Sequence, residues 1–192
     1  MSGVTNILIA GVGGQGTILA GRIISLLALQ AGHVVKVSEV HGLSQRGGSV
    51  LTQVRYGDEV HSPIISPGET DILLAFEKLE ALRMLPLVKP QGRAVVNTQE
   101  ISPLPVASGA MPYPQDITER LLASPVEITL LDAYALALKA GNGKAVNTVL
   151  LGKLSQSLGF SLEAWRQALT EAVKPQFLEL NLLAFDLGRE AD

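Results

Sequence analysis

Residues 7–16 read ILIAGVGGQG, an apolar run that ends in a glycine-rich turn. The run predicts a buried parallel strand over 5–10, and the apolar spacing from Gln15 to Ala31 predicts a long amphipathic helix. Gly11, Gly13 and Gly16 have the G-x-G-x-x-G spacing of a tight strand-to-helix turn. The first N–H groups of such a helix are unpaired and favour an anion, most often a phosphate. The turn therefore predicts contact with a ligand or partner, with close helix–strand packing as the alternative.

The rest of the chain extends this unit into an α/β fold. A second strand at 33–38 completes a βαβ unit, whose crossover should be right-handed. Residues 50–56 predict a third strand, and Gly57-Asp58 predicts a turn into an antiparallel return over 59–62. Buried strands are predicted at 71–76, 93–97 and 127–131, and residues 102–114 are either loop or edge strand. The expected fold is a Rossmann-like, mainly parallel sheet flanked by helices, with an antiparallel hairpin and C-terminal helices.

The length of 192 residues predicts a single domain over 1–192, with a helical layer at about 144–188. The net charge of −3 and the scattered Lys and Arg residues argue against a nucleic-acid surface. The absence of cysteine excludes thiolate nucleophiles and cysteine-ligated iron–sulfur clusters on this chain. The three histidines are not at zinc-site spacing, so no metal site is expected. No signal peptide or membrane span is expected, and the protein is predicted to be cytoplasmic.

Polar residues cluster between the second and third strands. His41, Gln45 and Arg46 are followed by Gly47 and Gly48, and the segment should lie at the same sheet edge as the glycine turn. A guanidinium beside glycines suits a carboxylate or phosphate, and His41 can titrate near neutral pH. Contact with a small ligand, contact with a partner subunit and internal hydrogen bonding remain open.

Two further polar residues have competing interpretations. Glu39 follows Gly16 by roughly the 20 residues at which a dinucleotide-binding fold places its ribose-binding carboxylate. The alternative is a carboxylate that organises its own loop, and the Gly13-Gly14 pair with Gln15 is unusual for a nucleotide turn. Asn147, on a predicted helix after an Asn-Gly turn, either faces the site or joins packed helices.

Five stretches together resemble the gamma-type domain of the 2-oxoacid:ferredoxin oxidoreductases, over nearly the whole chain. They are GVGGQG at 11–16, SEVHGLSQRGGSV at 38–50, SPII at 62–65, LLAFEKLEALR at 73–83 and AVNTVLLGKL at 145–154. Several motifs in the right order make the resemblance far more specific than the glycine turn alone, and it is greatest to the indolepyruvate branch of the family.

The resemblance implies a reaction shared between subunits. An aryl 2-oxoacid is oxidatively decarboxylated on thiamine diphosphate, the acyl group passes to coenzyme A, and electrons pass through iron–sulfur clusters to ferredoxin. Thiamine diphosphate, Mg²⁺ and the 4Fe-4S clusters are expected on an alpha subunit. This chain has neither cysteine nor a GDG motif followed by Asn, so it should bind none of them and be inactive alone.

The resemblance also implies that this chain closes over the active site of its partner. Coenzyme A or the oxoacid would be held at the glycine turn and the following loop. Arg46 is the candidate for an anionic group, and His41 for a polar contact or proton relay. The expected cofactor-contacting residues are Gly11, Gly13, Gly14, Gln15, Gly16, Glu39, Gly47 and Gly48. The alternatives are a self-sufficient NAD(P)- or flavin-binding oxidoreductase and a scaffold without chemistry.

Overall fold

The computed structural model describes residues 3–41 and 48–191, with the backbone alone of His41. The strands are β1 (Thr5–Val12), β2 (Val34–His41), β3 (Ser49–Gly57), β4 (Thr70–Ala75), β5 (Val88–Asn97) and β6 (Glu127–Leu131). The α-helices are α1 (Thr17–Gln30), α2 (Lys78–Met84), α3 (Leu104–Ala107), α4 (Ile117–Leu122), α5 (Ala133–Lys139), α6 (Val146–Leu154), α7 (Leu162–Ala172) and α8 (Leu178–Glu190). Short 3₁₀ turns lie at Leu85–Leu87, Gly143–Ala145 and Pro175–Phe177.

The described strands form one sheet in the order β2-β3-β1-β4-β5-β6. β1, β4, β5 and β6 pair in parallel, whereas β3 is antiparallel to both of its neighbours, β1 and β2. β3 alone therefore runs against the direction of the other five. The prediction of a mainly parallel sheet with an antiparallel hairpin is confirmed. The carboxyl ends of five strands share one edge of the sheet, and β3 begins there.

The position predicted for the hairpin is wrong. β3 ends at Gly57, and residues 59–62 form no strand; the antiparallel partner of β3 is β2, which precedes it. Two side chains of β3 form hydrogen bonds with the backbone of the segment that follows. Arg55 donates to the carbonyls of Ser62 and Ile64, and Gln53 accepts from the N–H of Ile65. These hydrogen bonds satisfy backbone groups of the segment, so it does not need to pair with a strand.

The βαβ unit also differs from the simple prediction. β1 and β2 point the same way, but β3 is inserted between them, so they are not neighbours in the sheet. β2 is longer than expected and continues to His41 because its ladder with β3 extends to the pair His41–Val50. Alternation of side chains along one strand does not reveal which strand is its neighbour.

Helices cover the sheet unequally on its two faces. One face packs on α1 and the C-terminal helices, around Trp165, Phe185 and Phe76, all fully buried. The other face packs on α2 and α4, around Ile117 and Leu121. Within the described ranges, no helix is long and apolar enough to cross a bilayer.

Backbone signals in the sequence fix several helix ends. Gly32 follows the end of α1 with φ 85°, a left-handed conformation that favours glycine. Ser161 caps α7, since its Oγ accepts from the N–H of Ala164 at 3.1 Å. Pro175 opens the 3₁₀ turn that leads into α8. The C-terminal helices expected from the sequence are confirmed.

α6 and α8 approach backbone to backbone through two glycines. A Cβ at Gly152 would lie 2.0 Å from the carbonyl oxygen of Phe185, and one at Gly188 would lie 1.9 Å from that of Val149. Because no side chain fits at either position, the two helices pack closely and hold the N-terminus of α6 in place. That N-terminus lies at the sheet edge described next.

Candidate functional site at the carboxyl edge of the sheet

The glycine turn joins β1 to α1, and the predicted strand–turn–helix arrangement is confirmed. Gly14 and Gly16 have φ values of 100° and 89°, which residues with a Cβ rarely adopt. Gly16 is the N-cap residue of α1 and has no side chain with which to cap the helix. The first-turn N–H groups of a 14-residue helix therefore lie at this turn, where they favour a negatively charged group.

Gln15 points into the protein. Its Oε1 accepts from the N–H of Val12 at 2.7 Å, and its Nε2 donates to the carbonyl of Phe76 at 3.1 Å. The amide thus bridges the end of β1 and the residue after β4, which are neighbouring strands. In open α/β sheets the crevice between such strand ends is the usual ligand position. Here the Gln15 amide spans that position through its two hydrogen bonds, and the side chain also borders a cavity described below.

Gly11 is also committed to packing. It lies within β1, and a Cβ there would come within 3.0 Å of Gln15, Thr17 and Phe76. The cavities of this edge are lined by Gly13, Gly14 and Gly16 instead. Gly11 is therefore required for close packing beneath the turn, whereas Gly13, Gly14 and Gly16 border open space.

A second helix N-terminus meets the glycine turn. α6 begins at Val146, and its N-cap residue Ala145 makes no side-chain capping bond. Asn147 lies against the turn so closely that a Cβ at Gly16 would lie 2.8 Å from its Nδ2. Lys144 directly precedes this helix and is exposed to solvent. Two helix N-termini and Lys144 thus border the same cavity, which is described below.

Asn147 combines the two roles that the sequence left open. Its Oδ1 accepts from the N–H of Thr148 at 2.9 Å, and the Thr148 hydroxyl donates to Asn181 of α8 at 2.6 Å. The side chain is 5% exposed, yet it borders two of the cavities described next. It is therefore both part of the α6–α8 contact and part of the wall of the site.

Three cavities adjoin one another around the turn. The first, about 310 Å³, is lined by Gly14, Gln15, Gly16, Gln99, Ile101, Tyr134, Gly143, Lys144, Val146 and Asn147. The second, about 400 Å³, is lined by Gly13, Gly14, Gly16, Thr17, Ile18, Glu39 and Val50. The third, about 350 Å³, lies between the start of α6, Leu19 of α1 and the segment from the end of α7 into α8, and it shares Lys144 and Asn147 with the first. Together they form one indented surface with positive charges at Lys144 and Lys174 and a negative charge at Glu39.

The connection between β2 and β3 begins and ends at this surface. Its return end is held by the N–H of Gly13, which donates to the carbonyl of Gly48 at 2.9 Å. The backbone of His41 pairs with Val50, so the connection leaves β2 at the same edge. Arg46 and Gly47 lie outside the described residues, as does the His41 side chain. Their predicted contacts with ligand or partner stay predictions.

Glu39 lies inside β2, opposite Thr52 of β3, rather than in a loop after the strand. Because β3 separates β2 from β1, Glu39 is about 10 Å across the sheet from β1, twice the usual strand spacing. In a dinucleotide-binding fold the ribose-binding carboxylate ends the strand next to the first. The geometry therefore differs from that of such a site, although Glu39 borders the second cavity.

Buried polar groups that the sequence analysis did not single out fix the ends of the parallel strands. Asn97 is fully buried; its Nδ2 donates to the Phe76 carbonyl at 3.0 Å and its Oδ1 accepts from the N–H of Ala133 at 3.1 Å. Glu77, 1% exposed, accepts from the N–H of Ile101 and from the hydroxyl of Tyr113. Burial, and then the hydrogen bond to Glu77, raise the pKa of Tyr113.

The sequence offered a weak signal for Lys144, the Asn142-Gly143 turn before α6. The Asn142 Oδ1 accepts from the Lys144 N–H at 3.0 Å and so orients the start of the helix. Nothing in the local sequence indicates that this turn lies beside Gly14 and Gly16, more than a hundred residues away. In the described part of the chain, no three His, Asp or Glu side chains group as metal ligands would.

Comparison with known proteins agrees with the fold and with the sequence motifs. The family model of pyruvate ferredoxin/flavodoxin oxidoreductase matches residues 6–191. The indolepyruvate oxidoreductase subunit IorB of Pyrococcus horikoshii is 40% identical over 97% of this chain and 95% of its own length. A keto/oxoacid ferredoxin oxidoreductase gamma subunit from Geobacter sulfurreducens PCA has a TM-score of 0.73 at 26% identity, covering 97% of this chain and 96% of that one.

The same fold also occurs within a larger polypeptide. In the 2-oxoglutarate:ferredoxin oxidoreductase of Magnetococcus marinus, solved with 2-oxoglutarate, coenzyme A and succinyl-CoA bound, the match covers 97% of this chain but 30% of that one. The TM-score is 0.73 at 22% identity, which is a likeness of fold. The resemblance to a gamma-type domain is confirmed, and the chain belongs to the pyruvate ferredoxin/flavodoxin oxidoreductase family.

Proposed function

We propose that this chain is the smaller, beta-type subunit of an aryl 2-oxoacid:ferredoxin oxidoreductase of the indolepyruvate type. With an alpha subunit it takes part in oxidative decarboxylation of the oxoacid to an acyl-CoA, with the electrons passed to ferredoxin. The identity of 40% with an IorB subunit over nearly both full lengths supports the substrate class. Phenylpyruvate, hydroxyphenylpyruvate and branched-chain oxoacids remain candidates because the specificity pocket belongs to the partner.

Thiamine diphosphate, Mg²⁺ and 4Fe-4S clusters belong to the alpha subunit in this proposal. Thiamine diphosphate supplies a carbanion-stabilising group there, and the clusters accept the electrons one at a time. The absence of cysteine supports this division, because clusters of this type are held by cysteine thiolates. The isolated chain is then inactive, and its contribution is to bind, orient and exclude water. A cytoplasmic location stays a prediction.

The carboxyl edge would hold coenzyme A. The observation that carries this assignment is the convergence of the N-termini of α1 and α6 with Lys144 around the first cavity. Phosphate groups suit such a place because backbone N–H groups and the helix dipoles favour negative charge there. Lys144 adds a point charge. The carboxylate of Glu39, at the second cavity, would repel a phosphate and favour a neutral part of the ligand.

Among the sequence-predicted residues, Gly13, Gly14 and Gly16 would contact the ligand through their backbone. Gly48 would act by fixing the connection, since its carbonyl is bonded to Gly13. In the proposal Arg46 binds an anionic group of the oxoacid or of coenzyme A. His41 makes a polar contact or relays a proton. Gly11 would support the turn from beneath, whereas Gln15 would brace the turn and also border the ligand at the first cavity.

Reconstitution tests the proposal. The chain is added to an alpha subunit that carries thiamine diphosphate and clusters, and indolepyruvate-dependent reduction of ferredoxin is followed. The account expects reduction only when both subunits and coenzyme A are present. A scaffold without chemistry would leave the activity of the alpha subunit unchanged when the chain is added, and that result would overturn the proposal.

A self-sufficient nucleotide-binding oxidoreductase is the second candidate, favoured by the placement of Glu39 and the glycine turn on one cavity. The insertion of β3 between β1 and β2 disfavours it. Calorimetric titration of the isolated chain with NAD and FAD separates the two candidates. Micromolar binding of either would favour the second candidate, and absence of heat would remove it.

A further inference from the structure

Glu80 is a buried carboxylate with a partner at the sheet edge. It lies in the first turn of α2 and is 3% exposed. One carboxylate oxygen, Oε2, accepts from the hydroxyl of Ser49 at 2.6 Å. The other, Oε1, accepts from the guanidinium of Arg83, one helical turn further along. Both oxygens are therefore engaged, one within the helix and one across to the sheet.

Ser49 is the point at which the β2–β3 connection rejoins the sheet. It is the first residue of β3 and pairs with Val12, the last residue of β1. The preceding residue, Gly48, accepts from the N–H of Gly13 through its carbonyl. Two hydrogen bonds therefore hold the return end of the connection beside the glycine turn. One is a backbone bond, and the other is the hydroxyl–carboxylate bond to Glu80.

The choice of a carboxylate at position 80 is not explained by packing. An ionised group removed from water is costly unless it is paired and hydrogen-bonded, and well-packed apolar residues often do as well or better. Arg83 compensates the charge, but its own side chain is 44% exposed and needs no buried partner. An apolar residue at position 80 could not accept a hydrogen bond from Ser49 across the gap between α2 and β3.

We propose that Glu80 is a positioning residue: it fixes Ser49 through this hydrogen bond and thereby holds the return end of the β2–β3 connection, Gly48 and Ser49, beside the glycine turn. Hydrogen bonds to charged groups are among the stronger ones, so its loss should loosen the end of the connection measurably. The link from this position to catalysis rests on the proposed function, in which His41 at the end of β2 and Arg46 in the connection have roles.

The test uses Ser49→Ala, Ser49→Thr and Ser161→Ala in the full chain. Ser49→Ala removes the hydroxyl and leaves the Glu80–Arg83 pair, so it avoids the folding failure that Glu80→Ala can cause. Ser49→Thr keeps the hydroxyl. Ser161→Ala is the matched control, because it also deletes one serine hydrogen bond, the cap of α7, away from this edge. Trypsin cleavage after Arg46 is timed under native conditions by mass spectrometry.

The proposal expects Ser49→Ala to be cleaved after Arg46 about tenfold faster than wild type, since native-state cleavage follows the population of open forms. Ser49→Thr should be cleaved at nearly the wild-type rate, and so should Ser161→Ala. An unchanged rate in Ser49→Ala, or an equal rise in Ser161→Ala, overturns the proposal.

Kinetics of the reconstituted complex then separate this proposal from the proposed function. If both are right, Ser49→Ala raises the KM for coenzyme A or the oxoacid more than it lowers kcat, and Ser49→Thr restores it. Faster cleavage with unchanged kinetics leaves the positioning role of Glu80 in place and counts against the proposed function of the edge. Unchanged cleavage rejects the positioning role whatever the kinetics show.

Discussion

Replacement of Gln15 by alanine should destabilise the chain, because the side chain joins the ends of two neighbouring strands. The variant leaves the N–H of Val12, a residue only 7% exposed, without its partner at 2.7 Å. The Phe76 carbonyl loses less, since Asn97 still donates to it at 3.0 Å. An unpaired buried N–H costs about 1–3 kcal/mol, so the unfolding free energy should fall by about 2 kcal/mol.

Urea and thermal unfolding of the isolated chain, followed by circular dichroism, measure this loss. For a domain of this size a loss of about 2 kcal/mol lowers Tm by about 4–8 °C. Gln99→Ala is the matched control. It removes bonds of 3.3 and 3.4 Å to Gln15 and Asn97 and should change stability by at most about 0.5 kcal/mol. If Gln15→Ala unfolds like wild type, Gln15 does not brace the crevice, and a role in ligand contact becomes the better explanation.

Three further predictions concern helix packing, the polar connection and pH. Gly152→Ala should lower the unfolding free energy by about 3 kcal/mol or prevent folding, because its Cβ would lie 2.0 Å from the Phe185 carbonyl oxygen. If the variant is as stable as wild type in urea, the close approach of α6 and α8 is contradicted. Arg46→Ala should lower turnover of the reconstituted complex while Tm changes little, and full activity would argue against an anion-binding role. The pKa of Tyr113 is raised by burial and by its hydrogen bond to Glu77, so the stability that the hydroxyl contributes is present below pH 10 and declines above it. The advantage of wild type over Tyr113→Phe should therefore shrink as the pH rises above about 10 in urea titrations, and an advantage that grows with pH would refute this.

Local signals in the sequence were sufficient for most of the elements, although not for the strand expected over 59–62. The ILIAGVGGQG segment predicted β1 and the turn, and the apolar spacing from Gln15 to Ala31 predicted α1. Such signals depend on backbone conformation and side-chain period, which neighbouring residues determine. They also placed the glycine turn and the β2–β3 connection at one edge, as the Gly13–Gly48 hydrogen bond confirms.

Features that depend on distant pairing could not be predicted in this way. A period of two shows that residues 50–56 form a strand but not that this strand inserts between β1 and β2. The roles of Gln15 and Lys144 depend on contacts with Phe76 and with the glycine turn, each far away in sequence. A glutamine in a glycine-rich turn looks like a ligand contact until the partner of its amide is known.

Lys144→Ala in the reconstituted complex tests the central claim, that the carboxyl edge of this chain binds the phosphates of coenzyme A. Lys139→Ala, an exposed lysine of α5 outside the three cavities, is the control. We expect Lys144→Ala to raise the KM for coenzyme A about tenfold with little change in kcat, because one charge-assisted contact is lost, and Lys139→Ala to leave both unchanged. An unchanged KM for coenzyme A in Lys144→Ala would contradict it.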